Sequence, residues 1–249
     1  MTSDRDPPPD KIPDWADLAE QRLLGAAVPL AAKHGWTRRL VNAAARAADL
    51  SLADAELLVP EGPRDLAALF GRRHDERALA ALATIDPTSL KVRERIRMGV
   101  LARCQAAMED GEATRRWCGY LTLPFNAPLG LRLAWGSADS IWRWAGDTAT
   151  DENHYSKRAL LAEILISTLA VRLAMGANAA AAHLDGRIEG VMAFEKWKAG
   201  MKPAEFADRA TRTLGRLRYG NGAHSTSQPL LAAGEEGEEA MSETTRVTT

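Results

Sequence analysis

Cysteine is nearly absent from this sequence. Its 249 residues include only Cys104 and Cys118, which lack the close spacing of a metal-binding pair. Two cysteines are also too few for the disulfide framework that stabilises small secreted domains. We therefore expect both thiols to be reduced in a cytosolic protein.

Long apolar runs are also lacking. The longest, residues 159–171, contains Glu163 and is flanked by Lys157, Arg158 and Arg172. A membrane-spanning helix needs roughly 20 apolar residues, so this run predicts a buried core helix. Residues 1–14 have neither the basic start nor the apolar centre of a signal peptide, and we expect no transit peptide either.

Net charge is close to zero, at −1. No overall field therefore attracts nucleic acid or a membrane surface. The hydrophobic content of 46% is typical of a globular protein that buries a sizeable core.

Valine and isoleucine are sparse, whereas alanine, leucine, arginine and glutamate are abundant. This composition favours an all-α fold. Apolar residues at helical spacing predict a first helix through His34, which we expect to kink or restart at Pro29. Thr37 is placed to cap a second helix through about Ala48, and a third is predicted from Ser51 to before Pro60.

A fourth helix is expected after Gly62-Pro63. Longer helical patterns follow at about 73–84, 88–109, 112–120, 128–145, 152–175 and 178–199. The predicted organisation is a helix-turn-helix-like module at 15–72, a larger helical domain at 73–200 and an amphipathic helix at 201–219. Residues 1–14 and the acidic tail 220–249 are predicted to be disordered.

The third helix of the module does not have the charge of a DNA-reading helix. The segment 49–61 carries Asp49, Asp54, Glu56 and Glu61 and no lysine or arginine. Phosphate repels such a face. Arg38, Arg39 and Arg46 on the second helix keep a ligand-responsive transcriptional repressor as the alternative function.

The segment WAGDTATDENHYSKR, residues 144–158, concentrates polar residues between two apolar helices. A metal site is one interpretation, but the acidic residues lack calcium-loop spacing and no HExxH motif is present. Catalysis is another, but no nucleophile lies in a recognisable elbow. Capping by Thr148 or Thr150 with Asp151 explains part of the segment, and the neighbouring aromatic residues favour a partner-docking surface.

The same segment resembles the signature of the ubiquinone-biosynthesis accessory lipid-binding family, the ninth of the Coq proteins. The matching residues are Trp142, Trp144, Ala145, Gly146, Asp147, Thr148, Thr150, Asp151, Asn153, Tyr155, Ser156 and Arg158. Two further stretches, GAAVPLAAKHGWTRRLVNAAARA and LDGRIEGVMAFEKWK, are similar to the family's opening and late helices. The sequence departs from the family at His154, where a tryptophan is usual, and we expect protonation of this histidine to weaken docking.

The resemblance implies a TetR-like fold without DNA binding. It also implies an accessory protein, not an enzyme, that uses neither metal nor cofactor. Such a protein binds an isoprenoid quinone intermediate and presents it to a di-iron hydroxylase at the membrane. The implied location is cytoplasmic and peripheral to the inner membrane of a bacterium, and the implied assembly is a homodimer formed through the C-terminal helices.

Three sets of residues are candidates for these roles. Docking is assigned to Trp142, Asp147, Asp151, Asn153, His154, Tyr155 and Arg158, with Gly146, Thr148 and Thr150 shaping the turn. Lipid binding is assigned to Leu131, Leu133, Trp135, Ile141, Trp144, Leu161, Ile164, Leu165 and Leu169, although an ordinary packed core fits the same pattern. Membrane contact is assigned to Phe206, Arg209, Arg212, Leu214, Arg216 and Leu217, although a surface helix packed on the domain fits equally well.

Overall fold

The chain folds into helices joined by short turns. The computed structural model describes residues 15–147 and 152–200, and strands are absent from these two ranges. The helices are α1 (Trp15–His34), α2 (Arg38–Ala47), α3 (Leu52–Leu58), α4 (Pro63–Leu82), α5 (Val92–Met108), α6 (Gly111–Leu121), α7 (Ala127–Trp144), α8 (Glu152–Met175) and α9 (Ala177–Gly200). The prediction of an all-α, TetR-like fold is confirmed.

Side-chain caps begin the helices of the N-terminal module where the sequence predicts them. Thr37 Oγ1 accepts a hydrogen bond from the Leu40 amide, 3.4 Å away. Ser51 and Asp54 form a capping box, in which Ser51 Oγ accepts from the Asp54 amide and the Asp54 carboxylate accepts from the Ser51 amide. These bonds satisfy amide groups that the helix itself leaves without acceptors.

Two helix boundaries differ from the prediction, those of α4 and α5. α1, for which a kink or a restart at Pro29 was expected, continues through Pro29 without restarting, with Ala27 and Ala31 buried on either side of it. α4 crosses the expected boundary at 72/73 unbroken, because its buried residues continue at helical spacing from Phe70 to His74 and Ala78. α5 begins at Val92, after a short 3₁₀ turn at Pro87–Ser89 that the sequence merged into the helix.

The buried side chains form two hydrophobic cores. The first combines α1–α4 with Trp117 of α6, whose Nε1 donates to the Ala67 carbonyl at 2.9 Å. The second lies between α5, α7, α8 and α9. Both cores belong to one compact unit that ends at Glu195. Because Trp117 of α6 packs into the first core, α6 connects the helix-turn-helix-like module to the larger set of helices.

The apolar run at 159–171 lies within α8, as predicted. Leu161 and Leu165 are buried, whereas the Glu163 carboxylate is exposed and pairs with Arg187 of α9. Throughout the described ranges, no helix combines the length and hydrophobicity needed to cross a membrane. The candidate membrane-contact residues at 206–217 and the predicted tails 1–14 and 220–249 lie outside the described residues.

Candidate functional site

The polar segment begins with a tight helix ending at the carboxyl end of α7. Gly146 has φ of 85°, a conformation that glycine adopts without steric cost. The Gly146 amide donates to the Arg143 carbonyl and the Asp147 amide to the Trp142 carbonyl, both at 3.0 Å. This pair of bonds is a Schellman motif, so the prediction that Gly146 shapes the turn is confirmed. Thr148, Thr150 and Asp151 lie outside the described residues.

Arg158 is the buried anchor of this segment. Its Nε lies 2.5 Å from Asp139 Oδ1, and its Nη1 lies 3.2 Å from both Asp147 Oδ2 and the His154 carbonyl. Only 2% of the residue is exposed. The assignment of Arg158 to a docking contact is therefore wrong; the side chain instead fixes the start of α8 against the end of α7.

Asp147 also has a structural role, because it binds two cations at once. Its Oδ1 accepts from Lys157 Nζ at 2.9 Å, and its Oδ2 accepts from Arg158. Burial raises the pKa of this carboxyl, but the hydrogen bonds from Lys157 and Arg158 outweigh that effect and lower the pKa below its usual value. Asp147 is thus held as a carboxylate that orients its neighbours.

Trp142 connects this anchor to the interior. Its Nε1 donates to the Lys157 carbonyl at 3.2 Å, and Lys157 Nζ lies 5.4 Å from the centroid of its ring. The indole is only partly exposed and packs against the second core. Only part of the indole is therefore accessible for its assigned docking role.

His154 and Tyr155 of this segment form an aromatic patch with Trp135 of α7, and Tyr155 is its exposed member. Tyr155 is 65% exposed, and its ring lies 6.2 Å from that of Trp135 and 5.3 Å from that of His154. The side chain of Asn153 lies outside the described residues. Aromatic groups at a polar surface are typical of protein interfaces.

A first cavity, of about 540 Å³, opens between α5, α6, α7 and α8. Four of the predicted lipid-binding residues line it: Leu131, Leu133, Leu165 and Leu169. Sequence reasoning missed further lining residues, namely Trp117, Leu121, Ala127, Gly130, Ala134, Ile166, Ala170, Leu173 and Ala174. Leu173 continues the i, i+4 spacing of Leu165 and Leu169, a signal that could have found it.

One part of the first cavity is polar. Arg103, 6% exposed, lies beside Ser137 because both bind Asp75 Oδ1, at 2.5 Å from Arg103 Nε and 2.6 Å from Ser137 Oγ. Arg103 Nη2 also contacts the Gly71 carbonyl at 3.5 Å. The cavity is therefore apolar over most of its wall and offers hydrogen-bonding groups at Arg103 and Ser137, with Arg115 and Thr122 as further polar lining residues.

Both cysteines line the first cavity. Burial raises the pKa of the Cys104 thiol and of the Cys118 thiol to about 11 in each case. The thiolate is the nucleophilic form of cysteine. These side chains thus behave as small apolar groups at neutral pH.

The other predicted lipid-binding residues lie elsewhere, so the assigned set does not form a single cavity. Leu161 and Ile164 line a second cavity, of about 450 Å³, between α5, α8 and α9. Ile141 is buried in the second core, 2% exposed, and Trp144 packs against that core. Trp135 belongs to the aromatic patch and lines neither cavity.

Two alternative chemistries find little support in the described residues. Within 15–147 and 152–200, no cluster of three or more histidine, cysteine, aspartate or glutamate side chains could hold a metal ion. On α3, the Asp54 carboxylate is used in the capping box, and the helix carries no lysine or arginine. A face of this charge does not favour phosphate binding.

Comparison with known proteins adds independent evidence. A family model described as COQ9 matches residues 127–195, which include α7, the aromatic patch and most of both cavities. The chain is 30% identical over 165 residues to the ubiquinone biosynthesis protein COQ9, mitochondrial, of Xenopus tropicalis, covering 62% of this chain and 50% of that protein. It is 29% identical over 157 residues to the human protein of the same name, covering 60% and 49%.

The chain spans about half the length of the curated relatives it matches. Within that span, the family match covers the Gly146 turn, the Arg158 anchor and the helices that carry most of the cavity walls. Over this span the chain is similar to the COQ9 proteins of ubiquinone biosynthesis.

Proposed function

We propose that this protein is a lipid-binding accessory protein of ubiquinone biosynthesis, without catalytic activity of its own. In this proposal it holds an isoprenoid quinone intermediate in the first cavity and presents it to a hydroxylase at the membrane. Similarity to COQ9 proteins over about 60% of the chain supports the pathway. The observation that carries the lipid-binding proposal is the first cavity, with its mostly apolar wall and a few polar lining residues.

The chemistry of the cavity suits a molecule with an oxygen-bearing ring and an isoprenoid tail. Leu131, Leu169 and Leu173 offer a tail aliphatic surface, and each methylene removed from water contributes about 0.8 kcal/mol. Arg103 uses Nε and Nη2 on Asp75 and Gly71, so the N–H groups of Nη1 remain as candidate donors to a ring oxygen. A cavity of about 540 Å³ falls within the range typical of small-molecule sites.

Solvent extraction of the purified protein, followed by mass spectrometry of the organic phase, tests the cargo. We expect an isoprenoid quinone or precursor near one equivalent per chain. Leu169→Trp fills the first cavity and should abolish this signal, whereas Val191→Trp, in the second cavity, should retain it. Equal lipid content in both variants would contradict the assignment of the cargo to the first cavity.

The aromatic patch is the proposed docking surface for the hydroxylase. Tyr155 is the most exposed of its three members. Truncation of an aromatic residue at the centre of an interface weakens binding by about 30-fold or more. Tyr155→Ala should therefore reduce hydroxylase affinity in a pull-down titration without changing the thermal stability of the protein.

Leu57→Ala is the matched control for the docking experiment. Leu57 is 72% exposed but lies on α3, in the helix-turn-helix-like module. It should leave hydroxylase affinity unchanged. If Leu57→Ala weakened binding and Tyr155→Ala did not, the docking surface would lie on the N-terminal module instead.

Association with the membrane surface and homodimerisation are parts of the same proposal. A basic amphipathic segment at 203–218 is present in the sequence, and such segments bind anionic lipid surfaces. Deletion of residues 203–219 should abolish binding to anionic vesicles and leave the helical circular-dichroism signal intact. Analytical ultracentrifugation of the full chain gives the oligomeric state, for which we expect a dimer.

A further inference from the structure

The second cavity differs from the first in the pairing of its cationic residues, because Arg103 and Arg115 of the first cavity have acidic partners. It lies where the start of α5 meets the carboxyl-terminal half of α9, and its interior is formed by buried Ile96, Leu161 and Ile164. Lys91, Arg93 and Lys157 also line it, and none of the aspartates or glutamates with described side chains does. The result is an apolar space with a cationic edge.

The two cavities are separate. Among the residues with described side chains, none lines both, although α8 contributes to each. Between them, α5 and α7 touch so closely that a Cβ atom on residue 99 would lie 2.5 Å from Ile141 Cγ2. A molecule in the second cavity is therefore held independently of the cargo proposed for the first.

The positive charge of the rim is only partly neutralised. Lys157 pairs with Asp147, but Lys91 and Arg93 are exposed, and neither forms an ion pair with any residue whose side chain the structure describes. Hydrogen bonds from such cations to a carboxylate are stronger than those between neutral groups. The rim thus favours an anionic head group over a neutral one.

We infer that the second cavity binds a long-chain fatty acid, with its alkyl chain along Ile96, Ile164 and Ile188 and its carboxylate at Lys91 and Arg93. The cationic rim sets the charge of the ligand, and the apolar interior sets its aliphatic character. The basic segment 203–218 of this chain has the same sign of charge as the rim, which disfavours that segment as the occupant. This site is additional to the quinone site of the proposed function.

Tryptophan fluorescence can detect and locate the fatty acid. Trp142 lines the second cavity and Trp117 lines the first. We therefore expect 9,10-dibromostearate, whose bromine atoms quench nearby indoles, to quench emission from the full-length wild-type protein. Trp142→Phe should remove most of that quenching, and Trp117→Phe should keep it.

Charge and chain length provide the second set of measurements. Lys91→Gln combined with Arg93→Gln should weaken stearate binding about tenfold, since two charge-assisted contacts are lost. Removal of two methylenes from the ligand should weaken binding by roughly tenfold, as expected for apolar burial. If the uncharged alcohol of the same chain length bound as tightly as the acid, the inferred role of the cationic rim would be overturned.

Filling either cavity separates this inference from the proposed function. Val191→Trp should abolish fatty-acid quenching while keeping the isoprenoid lipid, and Leu169→Trp should do the reverse. Quenching lost in Leu169→Trp and in Trp117→Phe, but kept in Val191→Trp, would place the fatty acid in the first cavity and overturn the inference. A failure to extract quinone from the wild type would count against the proposed function alone.

Discussion

Gly99 of α5 packs directly against Ile141 of α7, and the contact leaves no room for a side chain at position 99. A Cβ atom built on residue 99 would lie 2.5 Å from Ile141 Cγ2 and 3.2 Å from Ile141 Cγ1. Glycine at this position lets the two backbones approach, and the buried isoleucine fills the space that a larger residue would need. The contact lies in the second core, between the two cavities.

Replacement of Gly99 by alanine should therefore destabilise the protein. Forcing an extra carbon into a packed core costs about 1–3 kcal/mol, which exceeds the gain in helix propensity of roughly 1 kcal/mol. Urea unfolding measures the free-energy change. Gly25→Ala is the control, because a Cβ on that exposed helical glycine meets no atom within 4 Å, and it should be neutral or stabilising.

The close contact predicts a specific coupling. In the double variant Gly99→Ala with Ile141→Ala, the new methyl group enters the space that the isoleucine leaves. The loss of stability should then be smaller than the sum of the two single losses by about 1 kcal/mol or more. Strict additivity would mean that the helices separate in response to alanine at position 99.

Replacement of Arg158 by alanine should cost about 3–5 kcal/mol of stability, because Asp139 and Asp147 lose a buried cation. Arg143 is the control: its Nε lies 2.8 Å from Asp139 Oδ2, but its side chain is 74% exposed. Arg143→Ala should cost less than about 1 kcal/mol. Thermal unfolding compares the two variants. Equal losses of stability would show that burial does not strengthen the ion pair between Arg158 and Asp139.

His74 should make the protein sensitive to acid. Burial, assisted by Arg103, Arg73 and Arg77, lowers the pKa of its imidazole to about 2, from an ordinary value of 6.5. Neither ring nitrogen has a hydrogen-bond partner within the described residues. Below pH 6.5 the unfolded chain takes up a proton that the folded protein excludes, so stability falls by about 1.4 kcal/mol per pH unit until the folded pKa is reached.

His74→Leu removes this titration and should flatten the stability curve between pH 6.5 and 4.5. Above pH 6.5, where the histidine is neutral in both states, the variant should be as stable as the wild type or more stable, because two unsatisfied polar atoms are removed. Chemical unfolding at a series of pH values gives the comparison. Parallel curves for the two proteins would show that His74 does not contribute to acid sensitivity.

The cavity thiols should react slowly with alkylating reagents. With pKa values raised to about 11 by burial, Cys104 and Cys118 should gain about tenfold in iodoacetamide reactivity per unit between pH 8 and 10, as the thiolate fraction rises. A ligand in the first cavity should slow labelling further. Peptide mass spectrometry assigns each site, and labelling at pH 8 at the rate of an unfolded chain would contradict the burial of these thiols.

Helix type and caps were predictable because their causes are local. Thr37 and Ser51 predict helix starts, because their hydroxyl oxygens accept hydrogen bonds from the amides three residues later. Composition without abundant β-branched residues indicated helices throughout the described ranges. The missed continuity of α4 has a different cause, since Phe70 and His74 are kept helical by packing against Trp117, which lies more than 40 residues away in the sequence.

The site was only partly predictable because its contacts are not local. Spacing identified Leu165 and Leu169 as an apolar face, but it could not show that Leu161, one turn earlier, lines a different cavity. Arg158 resembled a surface charge until its bond to Asp139, 19 residues earlier, was known. Trp135 fitted a lipid cavity equally well by hydrophobicity, and only the fold places it beside Tyr155.

α7 carries residues of the first cavity, of the aromatic patch and of the Arg158 anchor along one helix. Leu131 and Ser137 form part of the wall of the first cavity, Trp135 lies in the aromatic patch, and Asp139 holds the first turns of α8 through Arg158. A helix moves as a unit over this length. Under the proposed function, a cargo that rotated α7 would therefore also turn the aromatic patch, and a hydroxylase docking there would meet different surfaces on the empty and on the loaded protein.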